Sequence, residues 1–435
     1  MDTQCAKILE MKRILFFGLV FFTQACSFEP KGDVKELTVN LIARETDQIY
    51  ESLVEVRRDL HRYPEISEQE KRTSTKIISY LDSIGLDVKT NIGGYGVVGI
   101  LNGAQEGKHV AWRADIDALS TDSPDVVDFA SENKGVRHIC GHDVHTTIGL
   151  GIASVLAKHR DKIKGTIYFI FQPSEEIWNK GAQSMIADGL FNLIDPSEMY
   201  ALHITPLPVG QVAAKENEVY SYFRTLKVQF KNILVKDEVV KYTQDLIRSH
   251  STVNEKFWDL KSIMDPEIGI ANPNSIYADY IAVSEPFHVK SENNAVEIST
   301  MIYATDSLKL DSMLVRLEEN IGRSAYSSNL LSVHYDKNNP TVNNDAKLTQ
   351  ETLQTIASAY GKNTMAPIYG IVHLFNDDFS FFQQKVPGVY YLLGGSNFEK
   401  GVIAMPHSAN FAVDEEAIRV GVKYFSTMLL SRLDN

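Results

Sequence analysis

Short apolar β-segments alternate with helical segments over the first half of this chain and again near its end. The strand-like runs are 97–101, 109–114, 166–171, 199–203 and 388–393. Helical patterns separate the later runs, near 143–159, 180–189 and 347–360. Strands that alternate with helices predict an α/β fold, in which helices flank one sheet and cover both of its faces.

A different pattern occupies the stretch from 216 to 344. Residues 224–230 and 295–303 alternate like half-exposed strands, and residues 241–250 and 307–321 have a helical pattern. We therefore predict a smaller α+β domain over 216–344, inserted into a main α/β domain built from 41–215 and 345–435.

Charge and cysteine content narrow the function classes. The 435 residues carry a formal net charge of -13, which argues against non-specific binding to nucleic acid or to an anionic membrane surface. The three cysteines are Cys5, Cys26 and Cys140. Only Cys140 lies outside the N-terminal segment, so no disulfide framework is expected, and a metal is one way to occupy its thiol.

The N-terminus has the features of a secretory signal. Lys12 and Arg13 precede an apolar run at 14–22, which is too short to span a bilayer. Cys26 after Ala25 resembles a bacterial lipobox, although Thr23 departs from that pattern. We predict a signal peptide at 1–25, a tether at 26–40 and an exported lipoprotein. Plain secretion, an uncleaved anchor and a start at Met11 are the alternatives.

Acidic and histidine side chains cluster just past predicted strand ends. Residues 113–117 read Arg-Ala-Asp-Ile-Asp, residues 172–176 read Gln-Pro-Ser-Glu-Glu, and His203 ends the run at 199–203. In α/β sheets, ligands bind in the crevice at the carboxyl ends of the strands. Several separate segments therefore bring potential ligands to one edge.

Two pairs within these segments could carry chemistry. Cys140 and His142 are two residues apart, so in an extended segment both side chains reach one metal. Glu175 and Glu176 are adjacent, and such a pair can divide metal binding from proton transfer. Taken singly, a Cys-x-His pair, a Glu-Glu pair and a lone histidine each occur more often without such a role.

Ordered motifs carry a family resemblance. They are Arg57–Glu65, Arg113–Leu119, Cys140–His145, Phe171–Glu176 and Asp378–Ser380. As a set they resemble the M20 amidohydrolase branch, which includes hippurate hydrolases, auxin-conjugate hydrolases and N-acyl amino-acid deacylases. The match covers about 50–215 and 345–435.

The resemblance implies a catalytic α/β domain with an inserted lid, through which a homodimer could form. It implies that two divalent metals (Zn, Mn or Co) hold a hydroxide that attacks the amide bond of an N-acyl amino acid or short peptide with a free carboxylate. Glu175 would be the general base, and Asp115 and Asp117 would support the ligands. The implied ligands are Cys140, His142, Glu176, His203 and His407.

Two departures concern the substrate side. The lid of this branch usually opens with a glycine-rich loop that carries a histidine, whereas residues 228–234 contain neither residue type. Trp178 and its neighbours stand where glycines are usual, and we expect an apolar contact there. His288 could replace the lid histidine, as could His250, His334, Arg224 or Asn274. The alternative function is a metal-retaining binding protein with little or no turnover.

Overall fold

The computed structural model describes residues 34–177, 180–233, 235–336 and 339–434. The predicted signal peptide, Cys26 and Trp178 lie outside the described residues.

In chain order, the first elements are α1 (Val34–Arg62), α2 (Lys71–Ser83), β1 (Asp87–Ile92), β2 (Gly96–Asn102), β3 (Gln105–Asp115), β4 (Leu119–Ser120), β5 (Val136–Arg137), α3 (His142–Ala157), β6 (Lys164–Gln172), α4 (Gly181–Ala187), α5 (Leu190–Leu193), β7 (Glu198–Pro208) and β8 (Val212–Ala213). The later ones are β9 (Asn217–Glu218), β10 (Tyr222–Lys231), α6 (Lys236–Arg248), β11 (Ile281–Val283), β12 (His288–Glu292), β13 (Ala295–Ala304), α7 (Ser307–Gly322), β14 (Leu330–Asp336), β15 (Asn343–Asn344), α8 (Ala346–Tyr360), α9 (Phe379–Gln383), β16 (Gly388–Ser396) and α10 (Glu416–Asp434).

A large mixed sheet forms the centre of the molecule, with the strand order β1-β2-β6-β3-β7-β16-β8. Its four middle strands, β6, β3, β7 and β16, run parallel to one another. The outer strands β1, β2 and β8 are antiparallel to their neighbours. The carboxyl ends of the parallel strands therefore meet at one edge.

Both faces of this sheet are buried, as the apolar strand sequences predict. In β6, Ile167, Phe169 and Phe171 belong to the cluster that packs against α1, α3 and α10. The alternate residues Tyr168 and Ile170 belong to the cluster on the opposite face, which includes Met185 of α4 and Phe379 of α9. Such two-sided burial explains why the strand is apolar at nearly every position.

A second, smaller sheet has the order β11-β13-β10-β14, and β12 also pairs with β13. All of these pairings are antiparallel. Helices α6 and α7 cover one face, since apolar residues of both helices share a cluster with apolar residues of β10 and β13. The predicted fold class, an α/β sheet flanked by helices with a smaller α+β unit, is confirmed.

Residues 255–277, here called the roof segment, lie between α6 and β11 without forming a long helix. Phe257, Ile263 and Tyr277 are buried in the cluster on one face of the large sheet, not in that of the second sheet. Part of the predicted insert is thus bound to the main body. None of the described helices combines the length and the apolar character needed to cross a bilayer.

Candidate metal centre

Cys140 and His142 are presented at the start of α3. Gly141 precedes the helix with φ 95°, and a Cβ there would lie 3.3 Å from Phe411 and 3.4 Å from Ile204. Glycine is therefore the residue that permits this close turn. The Nδ1–H of His142 donates to the backbone oxygen of Asp117 at 2.9 Å, which leaves Nε2 pointing at the site.

The Glu175–Glu176 pair follows β6 on a strained turn. Ser174 has φ 56°, in the left-handed region, and its N–H and Oγ both donate to Glu70 Oε1, at 2.8 and 3.0 Å. The backbone N–H of Glu176 donates to Asp117 at 3.1 Å. These bonds hold both glutamates at the carboxyl edge of the sheet, with side chains 11% and 10% exposed.

His203 lies within β7, which continues to Pro208 beyond the predicted strand end. Its pairing with β3 stops at Ala201, whereas its pairing with β16 continues. His203 therefore borders the crevice that opens where β3 and β7 separate. Its Nδ1–H donates to the oxygen of Ile204 at 2.7 Å, and its Nε2 lies 3.2 Å from Cys140 Sγ.

His407 comes from a loop between β16 and α10. Its φ is 60°, and its N–H donates to Ile139 at 2.8 Å. Its Nε2 lies 3.2 Å from Cys140 Sγ and 3.4 Å from Glu176 Oε1. The side chain is 48% exposed, so His407 stands at the rim of the site.

The six predicted site residues meet at one place. Ligand atoms of Cys140, His142 and His203 lie within 4.8 Å of one another, and so do those of Cys140, Glu176 and His407. A third group of the same closeness contains His142, Glu175 and Glu176. Because Cys140 belongs to the first two groups, its thiolate could contact two ions at once.

Three acidic or histidine side chains support this cluster from behind. Asp117 Oδ2 accepts from Ser67 at 2.6 Å, and its Oδ1 lies 3.2 Å from His142 Nδ1. His145 donates through Nδ1 to Asp115 at 2.7 Å and accepts the Ile204 N–H through Nε2 at 2.9 Å. With both ring nitrogens engaged, His145 is a neighbour of the cluster rather than a ligand.

Charge around the cluster is predominantly negative. Arg113 is fully buried and contacts Asp115, Asp377 and Asp378 at 2.7, 3.1 and 2.9 Å. These three carboxylates more than balance its charge, and within the described residues neither Glu175 nor Glu176 forms an ion pair with a lysine or an arginine. Burial and the nearby carboxylates Asp377 and Glu176 raise the pKa of Glu175 well above its ordinary value.

The donor set fits divalent cations. His142 Nε2 and Glu176 Oε1 are buried and form no hydrogen bond within the described residues. Burial and the carboxylates of Glu176 and Glu175 raise the pKa of the Cys140 thiol, and a cation would reverse that effect. Thiolate and imidazole ligands suit zinc, and carboxylates also suit manganese.

Two sets of contacts behind the cluster were not predicted from the sequence. Ser67 and Glu70 have the spacing of a helix capping box, yet neither side chain caps α2; Ser67 donates to Asp117, and Glu70 accepts from Ser174. Asp377 was not singled out, although it accepts from Tyr390 at 2.8 Å and pairs with Arg113. Its position directly before the Asp378 motif was the available signal.

The metal-donor cluster opens into a cavity of about 420 Å³. His288 lies on the exposed strand β12 and does not line this cavity. The other predicted replacements, His250, His334, Arg224 and Asn274, do not line it either. Apart from the donors, the side chains that do line it are mostly apolar and come chiefly from the roof segment, the end of β7, the segment before α9 and the loop that carries His407.

Comparison with known proteins gives consistent matches. The model of peptidase family M20/M25/M40 matches residues 111–431. Thermostable carboxypeptidase 1 of Saccharolobus solfataricus is 29% identical over 401 residues, which cover 88% of this chain and 96% of the relative. The N-acetylcysteine deacetylase of Bacillus subtilis is 27% identical over 390 residues, covering 88% of this chain and 97% of the relative. A dinuclear metal-binding M20 peptidase from Bacillus subtilis superimposes with a TM-score of 0.71 at 24% identity, covering 89% of this chain and 99% of that one.

Proposed function

Because the chain belongs to peptidase family M20/M25/M40, as its motifs predicted, we propose that it is a binuclear metal-dependent amidohydrolase. Its substrates would be N-acyl amino acids or short peptides with a free carboxylate. Relatives named carboxypeptidase and deacetylase both cleave amide bonds, which supports this reaction class. The dinuclear metal peptidase of the same fold supports a two-metal site.

The observation that carries the proposal is the pair of donor groups that share Cys140. We assign Cys140, His142, Glu176, His203 and His407 to two divalent ions. When bound, such ions polarise an amide carbonyl and lower the pKa of a water molecule. Zinc suits the thiolate and imidazole donors best, and manganese or cobalt could also support activity.

Glu175 is the proposed general base. Its Oε2 lies 3.9 Å from His142 Nε2, beside the ligands, and its carboxylate makes no ion pair with Arg113 within 4.0 Å. It would take a proton from the attacking water and deliver it to the departing amide nitrogen. The hydrogen bonds from Ser174 to Glu70 and from Glu176 to Asp117 fix the turn that carries the two glutamates. A fixed turn would let one carboxylate bind metal while its neighbour transfers the proton.

A test of the proposal measures metal content and turnover together. We expect up to two divalent ions per chain after gentle purification, and hydrolysis of some members of a panel of N-acyl amino acids and dipeptides with Zn, Mn or Co. Absence of metal, with no activity on adding it, would refute the metal assignment. Bound metal without turnover across the panel would favour the alternative, a metal-retaining binding protein. That alternative is supported by the lack of a histidine in residues 228–234, where the lid of this family usually carries one.

A further inference from the structure

The roof segment forms one wall of the cavity beside the metal donors. Cys140, Glu175 and His203 line one side, and Ile263, Met264 and Ile270 line another. Ile368 and Phe375, from the segment before α9, complete the apolar wall. Whatever enters this cavity is therefore held next to the proposed reacting atoms.

Specific contacts hold the roof segment in place. The N–H groups of Tyr369 and Gly370 both donate to the oxygen of Ile270, at 2.7 and 3.0 Å, and the N–H of Ile371 donates to Tyr277 at 2.9 Å. The rings of Phe257 and Tyr277 stack on the buried ring of His373, with centroids 4.2 and 5.6 Å apart. The apolar wall is thus a fixed part of the main body.

The charge of the lining limits what the cavity can accept. No lysine or arginine is among the described residues that line it, whereas Glu175, Glu176 and Asp265 are. Asp265 Oδ1 is engaged by the N–H groups of Glu267 and Ile268, at 2.8 and 3.1 Å. An anion in the apolar part would be buried without a partner, which costs several kcal/mol or shifts its protonation.

We propose that this cavity is an acyl pocket, in which Ile263, Met264, Ile270, Ile368 and Phe375 select a long, uncharged apolar group on the carbonyl side of the amide. The inference rests on the proposed amidohydrolase function. The carboxylate of the amino-acid half then lies outside this pocket. Acetyl amides fill little of the cavity, so short acyl groups are poor substrates and medium-chain acyl groups are better ones.

Two measurements on the metal-loaded protein test the pocket. The first is kcat/KM for the acetyl, butanoyl, hexanoyl and octanoyl amides of glycine, which should rise about three- to fourfold for each methylene that is buried. The second is calorimetric binding of butan-1-ol, hexan-1-ol and octan-1-ol, which are not hydrolysed. Their Kd should fall with chain length in a similar ratio.

Variants then assign the effect to the roof segment. Ile270→Asp and Met264→Asp should remove the chain-length dependence in both measurements, while Val315→Asp, on the exposed side of α7, should leave it unchanged. Met264 is already 42% exposed, so its replacement should not impair folding.

Length-dependent alkanol binding without any turnover would refute the proposed function and support the pocket. The acyl-pocket assignment would be overturned if neither turnover nor alkanol binding by the unmodified protein depended on chain length. It would also be overturned if both aspartate variants kept the chain-length dependence of the unmodified protein.

Discussion

At the scale of single residues, Asp117 connects the parts of the candidate centre. One carboxylate oxygen faces His142, and the other accepts from Ser67 and from the Glu176 N–H. Asp117→Asn replaces one acceptor by a donor, so we expect the fold to persist and metal affinity to fall about 10- to 100-fold. Metal titration against a competing chelator measures this, with the exposed Asp122→Asn as the control. Equal affinity in both variants would contradict the supporting role.

The two adjacent glutamates should behave differently when each is made neutral. Glu175→Gln should keep metal and fold while kcat falls about 10²- to 10⁴-fold, because a general base is lost. Glu176→Gln should instead lower metal content, because a ligand is lost. Elemental analysis and kcat measured side by side separate the two roles, and the reverse pattern would show that the assignment is exchanged.

The sequence indicated the residues that meet in this cluster, but not all of the side chains behind them. Cys140 and His142 are close in the chain, and the family resemblance implied His203 and His407. Nothing in the sequence distinguishes Ser67 and Glu70 as supports, because their spacing also fits a capping box. Their true partners lie 50 and 104 residues away, a separation that local patterns cannot encode.

At the scale of elements, Glu198 at the start of β7 is joined to Arg432 in the last helix. Two hydrogen bonds of 2.9 and 2.7 Å connect them, and Tyr200 and Lys108 also donate to Glu198. Burial alone would raise the pKa of Glu198, but the bonds from Arg432, Tyr200 and Lys108 lower it to about 2. The charged form is therefore stabilised by folding.

This pair predicts a pH-dependent stability. The ordinary pKa of a glutamate is 4.5, so the contribution of Glu198 is complete above that pH and is lost as pH falls toward 2. Glu198→Gln should lower the free energy of unfolding at pH 7 by about 3–5 kcal/mol. Urea unfolding should show that the deficit shrinks between pH 4.5 and 3, with the exposed Glu51→Gln as control. A deficit that is constant with pH would contradict the linkage.

Gly370 lies at the close contact between the roof segment and the segment before α9. A Cβ at this position would lie 2.9 Å from atoms of Ile270, Ser275 and Tyr277. Gly370→Ala should therefore force these groups apart and lower the free energy of unfolding by about 1–3 kcal/mol. Gly322→Ala, where a Cβ would meet nothing within 4 Å, is the matched control. Thermal unfolding of both variants measures the difference, and equal stability would show that the roof segment adapts.

Strands and helices whose apolar residues recur at a regular spacing could be predicted from the sequence. The structure of the roof segment could not. The strands and helices of both sheets carry alternating or helical apolar patterns. The roof segment instead holds its apolar residues in an irregular run with Pro266, Gly269 and Pro273. Nothing in that spacing indicates that Phe257 and Tyr277 will stack on His373, so the composition of the cavity wall follows only from the tertiary structure.

At the scale of the whole molecule, the order of motifs identified the family and the fold class together. The family match from residue 111 to 431 covers the second sheet and all of the large sheet except β1, β2 and the first part of β3. The boundaries of the inserted domain stay a prediction. The roof segment lies within the predicted insert but packs on the large sheet, so sequence boundaries alone do not separate the two sets of contacts. A dimer formed through the second sheet also stays a prediction.

The location of the whole molecule is predicted from residues 12–26. A basic pair, a short apolar run and Ala25-Cys26 predict cleavage before Cys26 and lipidation of its thiol. Each acyl methylene that enters the bilayer contributes about 0.8 kcal/mol, so the lipid rather than the protein surface would hold the enzyme at the membrane. Cys26→Ala should move the full-length chain from the membrane fraction to the soluble fraction, whereas Cys5→Ala, upstream of the cut, should leave it in place. Mass spectrometry of the native N-terminus checks the modification directly, and an unmodified chain cleaved elsewhere would contradict it.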